Sequence, residues 1–197
     1  MLELPFLQRQ IHIIAGPNGA GKSSHARITL LPDFLKSNEF VNADEIAKIL
    51  SPKNPDKPAV EAGRLMLKRL DFLLEEGTDF AFETTLSARI YLNLIKRSKP
   101  HGYKINLIFL ALQSPELAKI RVQNRVSKGG HNIEDSVIER RFRGGLNNLK
   151  DYLSLVDTAS IYESSGPELV EIAKKNQDKF VILNENLWKN LCVTKKF

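Results

Sequence analysis

The residues best equipped for chemistry lie near the start of the chain. Gly16-Pro17-Asn18-Gly19-Ala20-Gly21-Lys22-Ser23 fits the pattern G-x-x-x-x-G-K-[ST] at every fixed position, and Ser24 extends the segment. Glycines let such a loop turn its backbone N–H groups around phosphate oxygens. A helix beginning there adds the positive end of its dipole. Lys22 has the reach for the β- and γ-phosphates of a nucleoside triphosphate, and the Ser23 hydroxyl is a ligand for Mg2+. The expected donor is ATP or GTP. The loop does not choose between them, because base contacts in such folds come from scattered backbone groups.

Two acids sit where strands are expected to end, Asp44 in FVNADEI and Glu83 in FAFETT. A kinase acting on a hydroxyl needs a carboxylate to accept its proton, and acids that order Mg2+ through water. Asp44 fits the first role, and it also fits the N-cap of the helix that follows. Glu83 in an apolar strand needs a partner, because an unpaired buried carboxylate is costly. That partner is either substrate or a structural cation. Thr84 and Thr85 follow, to bond a substrate oxygen or simply to favour the strand. The chain has no N-K-x-D guanine signature and no run of four apolar residues ending in Asp. Both absences count against a GTPase switch and a motor ATPase.

Basic residues supply the other half of the expected site. Arg121 and Arg125 are four apart and share a helix face. SKGGH follows, and then Arg140, Arg141 and Arg143. Two arginine clusters around a glycine-rich segment resemble the lid of a nucleoside-monophosphate-kinase-type fold. There, arginines stabilise charge on the transferring phosphoryl group and glycines let the lid move. His131 is either a phosphate contact or a turn cap. Residues 89–150 hold 13 Lys and Arg against 4 Asp and Glu, while the rest of the chain holds 16 against 19. Such a field suits a phosphorylated ligand or nucleic acid. Tyr91, Tyr103, Phe109 and Phe142 are few aromatics for base stacking, which disfavours nucleic acid.

Alternating elements must position these groups. An apolar, β-branched run at 11–15 reads as the strand entering the phosphate loop, with a helix after it. Further strands are expected at 40–42, 79–86, 104–112, 159–163 and 180–183. Helices are expected at 43–50, 58–76, 87–98, 115–126, 134–155 (bent at Gly144-Gly145) and 167–176. Residues 51–58, with three prolines, read as a loop. The last dozen residues, with Trp188, are either a packed helix or a frayed tail. This alternation predicts an α/β three-layer P-loop fold with a mostly parallel sheet of five or six strands. The phosphate-loop strand is expected between those at 80–83 and 104–112, with sites at the strands' C-terminal ends.

With 197 residues, 42% of them apolar and 26% charged, the chain suits one domain over 1–197, with a mobile lid at about 121–145. No apolar run approaches the roughly 20 residues of a spanning helix, so no membrane is expected. The N-terminal residues, with Glu3 and Pro5 and no basic stretch, do not read as a secretory signal. A single cysteine, Cys192, excludes an intrachain disulfide and makes the cytoplasm the default location.

GPNGAGKSS, NADEI, FETT and RVSKGGHNIEDSVIERRFRGGLNNL together resemble the zeta-toxin family, over about residues 10–165. The resemblance implies a kinase that phosphorylates the 3′-hydroxyl of UDP-N-acetylglucosamine. It also implies a small antitoxin protein as a partner covering the nucleotide site. On that basis Asp44 matches the base, Glu83 and Thr85 an E-x-T substrate pair, and Lys22 and Ser23 the phosphate loop. Arg125 and one of Arg140 or Arg141 match the lid arginines. This chain lacks the long insertions of the compared toxins, and Ser87 stands where a basic residue is expected after the E-x-T pair. Arg89 follows two positions on and, with Arg121, completes the expected substrate-binding set. A kinase for a different small molecule or nucleotide is the alternative, and a nucleotide-dependent nucleic-acid- or partner-binding protein the alternative of another class.

Overall fold

A computed structural model describes residues 8–52, 58–130 and 132–193. His131, the five residues 53–57 of the proline-rich loop and the end of the tail lie outside these. Seven strands form one sheet in the order β2-β3-β1-β4-β5-β6-β7. They are β1 (Gln10–Ala15), β2 (Glu39–Val41), β3 (Phe80–Thr84), β4 (Lys104–Ala111), β5 (Thr158–Glu163), β6 (Val170–Asn176) and β7 (Lys179–Ile182). The first five run parallel, with β1 between β3 and β4 as expected.

Alternate residues of the central strand face opposite layers. Ile11, Ile13 and Ala15 join a large core with Phe80 and Phe82. Met66, Leu70 and Leu73 of α4 (Ala59–Glu76) and Leu146, Leu149 and Tyr152 of α7 (Asp135–Leu155) pack in the same core. Ile14 and Ala81 face a smaller cluster with Ala26, Leu31 and Phe34. That second layer comes from α1 (Lys22–His25), its π-helical continuation Ala26–Leu30 and α2 (Phe34–Ser37). Three layers result. The other helices are α3 (Ala43–Leu50), α5 (Ile90–Ser98), α6 (Pro115–Val126) and α8 (Glu185–Val193), which makes residues 185–193 helix rather than frayed tail.

Several starts and stops have local causes. Ser114 caps α6 by accepting from the Leu117 N–H, with Pro115 in the first turn. Gly77, at φ 68°, ends α4 in the left-handed conformation.

One expectation fails. Residues 170–176 are strand, not helix, and the sheet has seven strands. VEIAKKN is rich in helix formers, but Ile172 and Ala173 are buried and the segment pairs antiparallel with β5. Non-local pairing outweighs local propensity. The hairpin to β7 turns on Gln177-Asp178, with Gln177 at φ 51°, and lacks the glycine that normally marks such a turn. At Gly144-Gly145, α7 runs as one helix without a break.

Candidate active site

The phosphate loop leaves the C-terminal end of β1. At Gly16, φ is 140° and a Cβ would stand 2.2 Å from the Leu110 carbonyl oxygen, so only glycine fits. The Gly16 N–H donates to Thr84 O at 3.2 Å, and the Ala20 N–H donates to Pro17 O at 3.2 Å. Lys22 opens α1, and its buried Nζ donates to Pro17 O at 3.0 Å. Ser24 is exposed on the next position.

Glu83 meets this loop directly. Its Oε2 accepts from Ser23 Oγ at 2.5 Å and from Asn42 Nδ2 at 2.9 Å, and its Oε1 lies 3.5 Å from Lys22 Nζ. The partner of this carboxylate is therefore the loop itself. Asn42 also caps α3, its Oδ1 accepting from the Asp44 N–H at 2.8 Å. Asn42, not Asp44, is the N-cap. An Asn just ahead of two acids in a first turn was the available signal for it.

Two cavities adjoin here, both lined by Asn42 and Asp44. The larger, about 630 Å3, lies between α3 and the end of α6 and is walled by Ser23, Lys48, Arg125 and Lys128. The smaller, about 210 Å3, is lined by Glu83, Thr85, Ser87, Tyr91 and Arg141. It also holds Asn18, Lys22 and a face of α4 at Ala59, Gly63 and Met66, which sequence reasoning missed for want of any polar signal. Thr85 Oγ1 and Ser87 Oγ lie 2.8 Å apart. Tyr91 tilts against Phe82 and reaches Met66 Sδ at 3.6 Å. Burial pushes its phenol pKa up, and nearby Arg141 opposes the shift.

The arginines separate. Arg125 enters the larger cavity and Arg141 the smaller, while Arg140 is exposed and lines neither. Arg89 turns away to Asp151 at 2.5 Å with its side chain 65% exposed, so it does not join the substrate set. Arg121 borders the larger cavity, but its guanidinium donates to the carbonyls of Gly19, Ser164 and Ser165 at 3.4, 2.8 and 2.6 Å. It pins the phosphate loop to the end of β5. Much of the basic block is similarly occupied, with Arg97 on Asp71, Lys99 on Asp157, and Lys119 and Arg143 both on Glu139. Those two cations hold the Glu139 carboxyl below its usual range.

The glycines near the arginines serve shape. Gly129, at φ 87°, follows the end of α6, and a Cβ on Gly130 would meet Arg125 Cγ at 2.6 Å. A Cβ on Gly145 would stand 2.3 Å from Thr85 O, so α7 presses directly on the loop after β3. Asn148 Nδ2 donates to Leu86 O and Ser87 O, and Tyr152 Oη to Ala88 O.

A sequence model of the zeta toxin family matches residues 4–187. The chain belongs to the zeta toxin family. That family is one of phosphate-loop kinases. A Haemophilus influenzae protein described only as uncharacterized is 27% identical over 138 residues, which is 69% of this chain and 94% of that one. The fold is also that of AvrRxo1-ORF1, solved with ORF2 and ATP, at TM-score 0.78 and 17% identity. This chain is covered to 93% there, but spans only 63% of the AvrRxo1 chain. The PezAT toxin–antitoxin system of Streptococcus pneumoniae matches at TM-score 0.63 and 18% identity, over 83% of this chain and 70% of that one. Among the described residues no helix is long and apolar enough to cross a membrane.

Proposed function

We propose that this zeta toxin family member is a kinase that moves the γ-phosphoryl group of ATP or GTP onto a hydroxyl of a small-molecule acceptor. One observation carries the reading. Two cavities meet at Asp44, beside the Lys22 and Ser23 of the phosphate loop, which is the arrangement a donor and an acceptor require.

In the proposed reaction the loop amides and Lys22 hold the donor phosphates. Asp44 accepts the proton of the acceptor hydroxyl as that oxygen forms its bond to the γ-phosphorus. The bond from γ-phosphorus to the bridging oxygen breaks, and the nucleoside diphosphate leaves. Arg125, from the side of the larger cavity, opposes the charge on the transferring group, and Arg141 faces the acceptor. Thr85 and Glu83 orient the acceptor. Among the described residues no three His, Cys, Asp or Glu side chains cluster as a metal site. Ser23 Oγ beside Glu83 is a hard-oxygen set suited to Mg2+, the other ligands coming from phosphate and water. When bound, that ion would neutralise phosphate charge.

The family resemblance supplies UDP-N-acetylglucosamine as the first acceptor to test and an antitoxin as a partner, and the single cysteine supplies the cytoplasm as the proposed location. The 210 Å3 of the acceptor-side cavity favours a second reading with a smaller acceptor. Product mass after reaction with ATP or GTP, Mg2+ and a panel of UDP-sugars separates the two readings, with Lys22→Ala as the control. We expect Asp44→Ala to abolish transfer while leaving ATP affinity within about twofold. Undiminished transfer in that variant would remove Asp44 from the mechanism.

A further inference from the structure

The acceptor-side cavity is built unevenly, and its least explained residue is a glycine. Gly63 lies inside the 18-residue helix α4, where glycine is the poorest helix former short of proline. It makes no turn there, and no close approach demands it. Among the described residues, nothing lies within 4 Å of where its Cβ would stand. Ala59, Gly63 and Met66 fall on one helical face, and all three line this cavity. The missing side chain leaves open space facing the acceptor side.

A second observation points to a ligand in that space. The Asn18 side chain is only 6% exposed and lines the same cavity, and its buried Oδ1 has no hydrogen-bond partner among the described residues. A buried acceptor atom in that state wants a donor. The charges at the cavity are also few. Lys22 and Glu83 face each other, which leaves Asp44 and Arg141 as the other charged groups on its wall. One cation suits one anionic group. The Tyr91 ring, backed by Phe82, gives a flat apolar flank. At about 210 Å3 the space is below the roughly 300–1,000 Å3 of sites for drug-sized ligands.

We propose that Gly63 sets the acceptor's size, and that the recess it opens takes one hydroxylated ring-sized molecule with a single anionic group on Arg141, not a nucleoside-diphosphate sugar. The proposal rests on the kinase reading above. The acceptor's body lies over Gly63 against Tyr91, a hydroxyl or amide donates to Asn18 Oδ1, and the reacting hydroxyl faces Asp44.

The test measures phosphorylated product by mass, using ATP and Mg2+ with four sets of probes. These are sugar carboxylates such as D-gluconate, sugar monophosphates such as D-glucose 6-phosphate, neutral D-glucose, and UDP-glucose with UDP-N-acetylglucosamine. Product is expected in the carboxylate or the monophosphate arm, and which of the two responds identifies the anion. Arg141→Ala should raise KM for that probe at least tenfold. Gly63→Leu should lower kcat/KM at least a hundredfold, and Gly63→Ala, a milder change that favours the helix, by an intermediate factor. Affinity for a non-hydrolysable ATP analogue serves as the check on folding. Product from a UDP-sugar overturns the proposal and leaves the kinase reading standing. So does single-anion turnover that Gly63→Leu does not slow. Absence of product in every arm overturns the proposal, and absence of analogue binding by the wild type overturns the kinase reading with it.

Discussion

Arg140 and Arg141 are neighbours in sequence with different surroundings. Successive residues on a helix point about 100° apart, so one of the pair enters the smaller cavity and the other stays in solvent. Arg141→Ala should reduce kcat/KM for phosphoryl transfer by about tenfold or more, through a higher KM for the acceptor. Arg140→Ala should change it less than about twofold. Steady-state kinetics on the two variants decides the assignment, and equal losses would contradict it. Asn42 bears on the same site, since one side chain both caps α3 and bonds Glu83. Asn42→Ala should cost about 1 kcal/mol from the cap alone, measured by urea unfolding.

At the scale of elements, α7 organises the loop after β3 that lines the smaller cavity. Gly145, Asn148 and Tyr152 recur at helical spacing and meet the backbone of residues 85–88 in succession. That loop holds Leu86 at φ 57°, fully buried, a conformation that L side chains rarely adopt unless neighbours hold them there. The same helix delivers Arg141. Glu139, bonded by Lys119 of α6 and by Arg143, ties α7 to the helix that carries Arg125. Gly145→Ala would set a methyl against the Thr85 carbonyl, so helix or loop must shift. We expect a stability loss of about 1–3 kcal/mol. Acceptor KM should rise while nucleotide affinity is kept. A variant with unchanged stability and KM would show that the contact does not position the loop.

At the scale of the molecule, the second layer contains a titrating group far from the phosphate loop in function. His12, on β1, packs its ring 4.4 Å from that of Phe34, and its Nδ1 is buried with no hydrogen-bond partner among the described residues. Burial, with Lys104 adding to it, pushes its pKa down from 6.5 to about 4. The unfolded chain therefore binds this proton more readily than the folded one. The stability this provides is present above pH 6.5 and is lost as pH falls from there toward 4. The loss is on the order of 3 kcal/mol at most. Urea midpoints at pH 7.5 and 5 should differ less in His12→Phe than in the wild type. An equal drop in both would assign the acid sensitivity elsewhere.

What the sequence determined by itself was whatever short-range pattern encodes. The phosphate loop and its strand were legible because glycine spacing, Lys22 and an apolar run are all local. So were the five parallel strands, since alternating strand and helix periods leave few packings. Tertiary structure decided the rest. VEIAKKN became strand because β5 offered it an edge, and no residue in the segment announces that. Gly144 and Gly145 read as a bend in sequence, while the fold sets both against Thr85 and Ser87, 57 or more residues earlier in the chain. Arg89, Arg121, Arg140 and Arg141 are identical as letters. Only the fold sends one to a carboxylate, one to backbone carbonyls, one to solvent and one to the smaller cavity. A long side chain takes its role from whatever folding brings within its reach, and for these arginines much of that is distant in sequence.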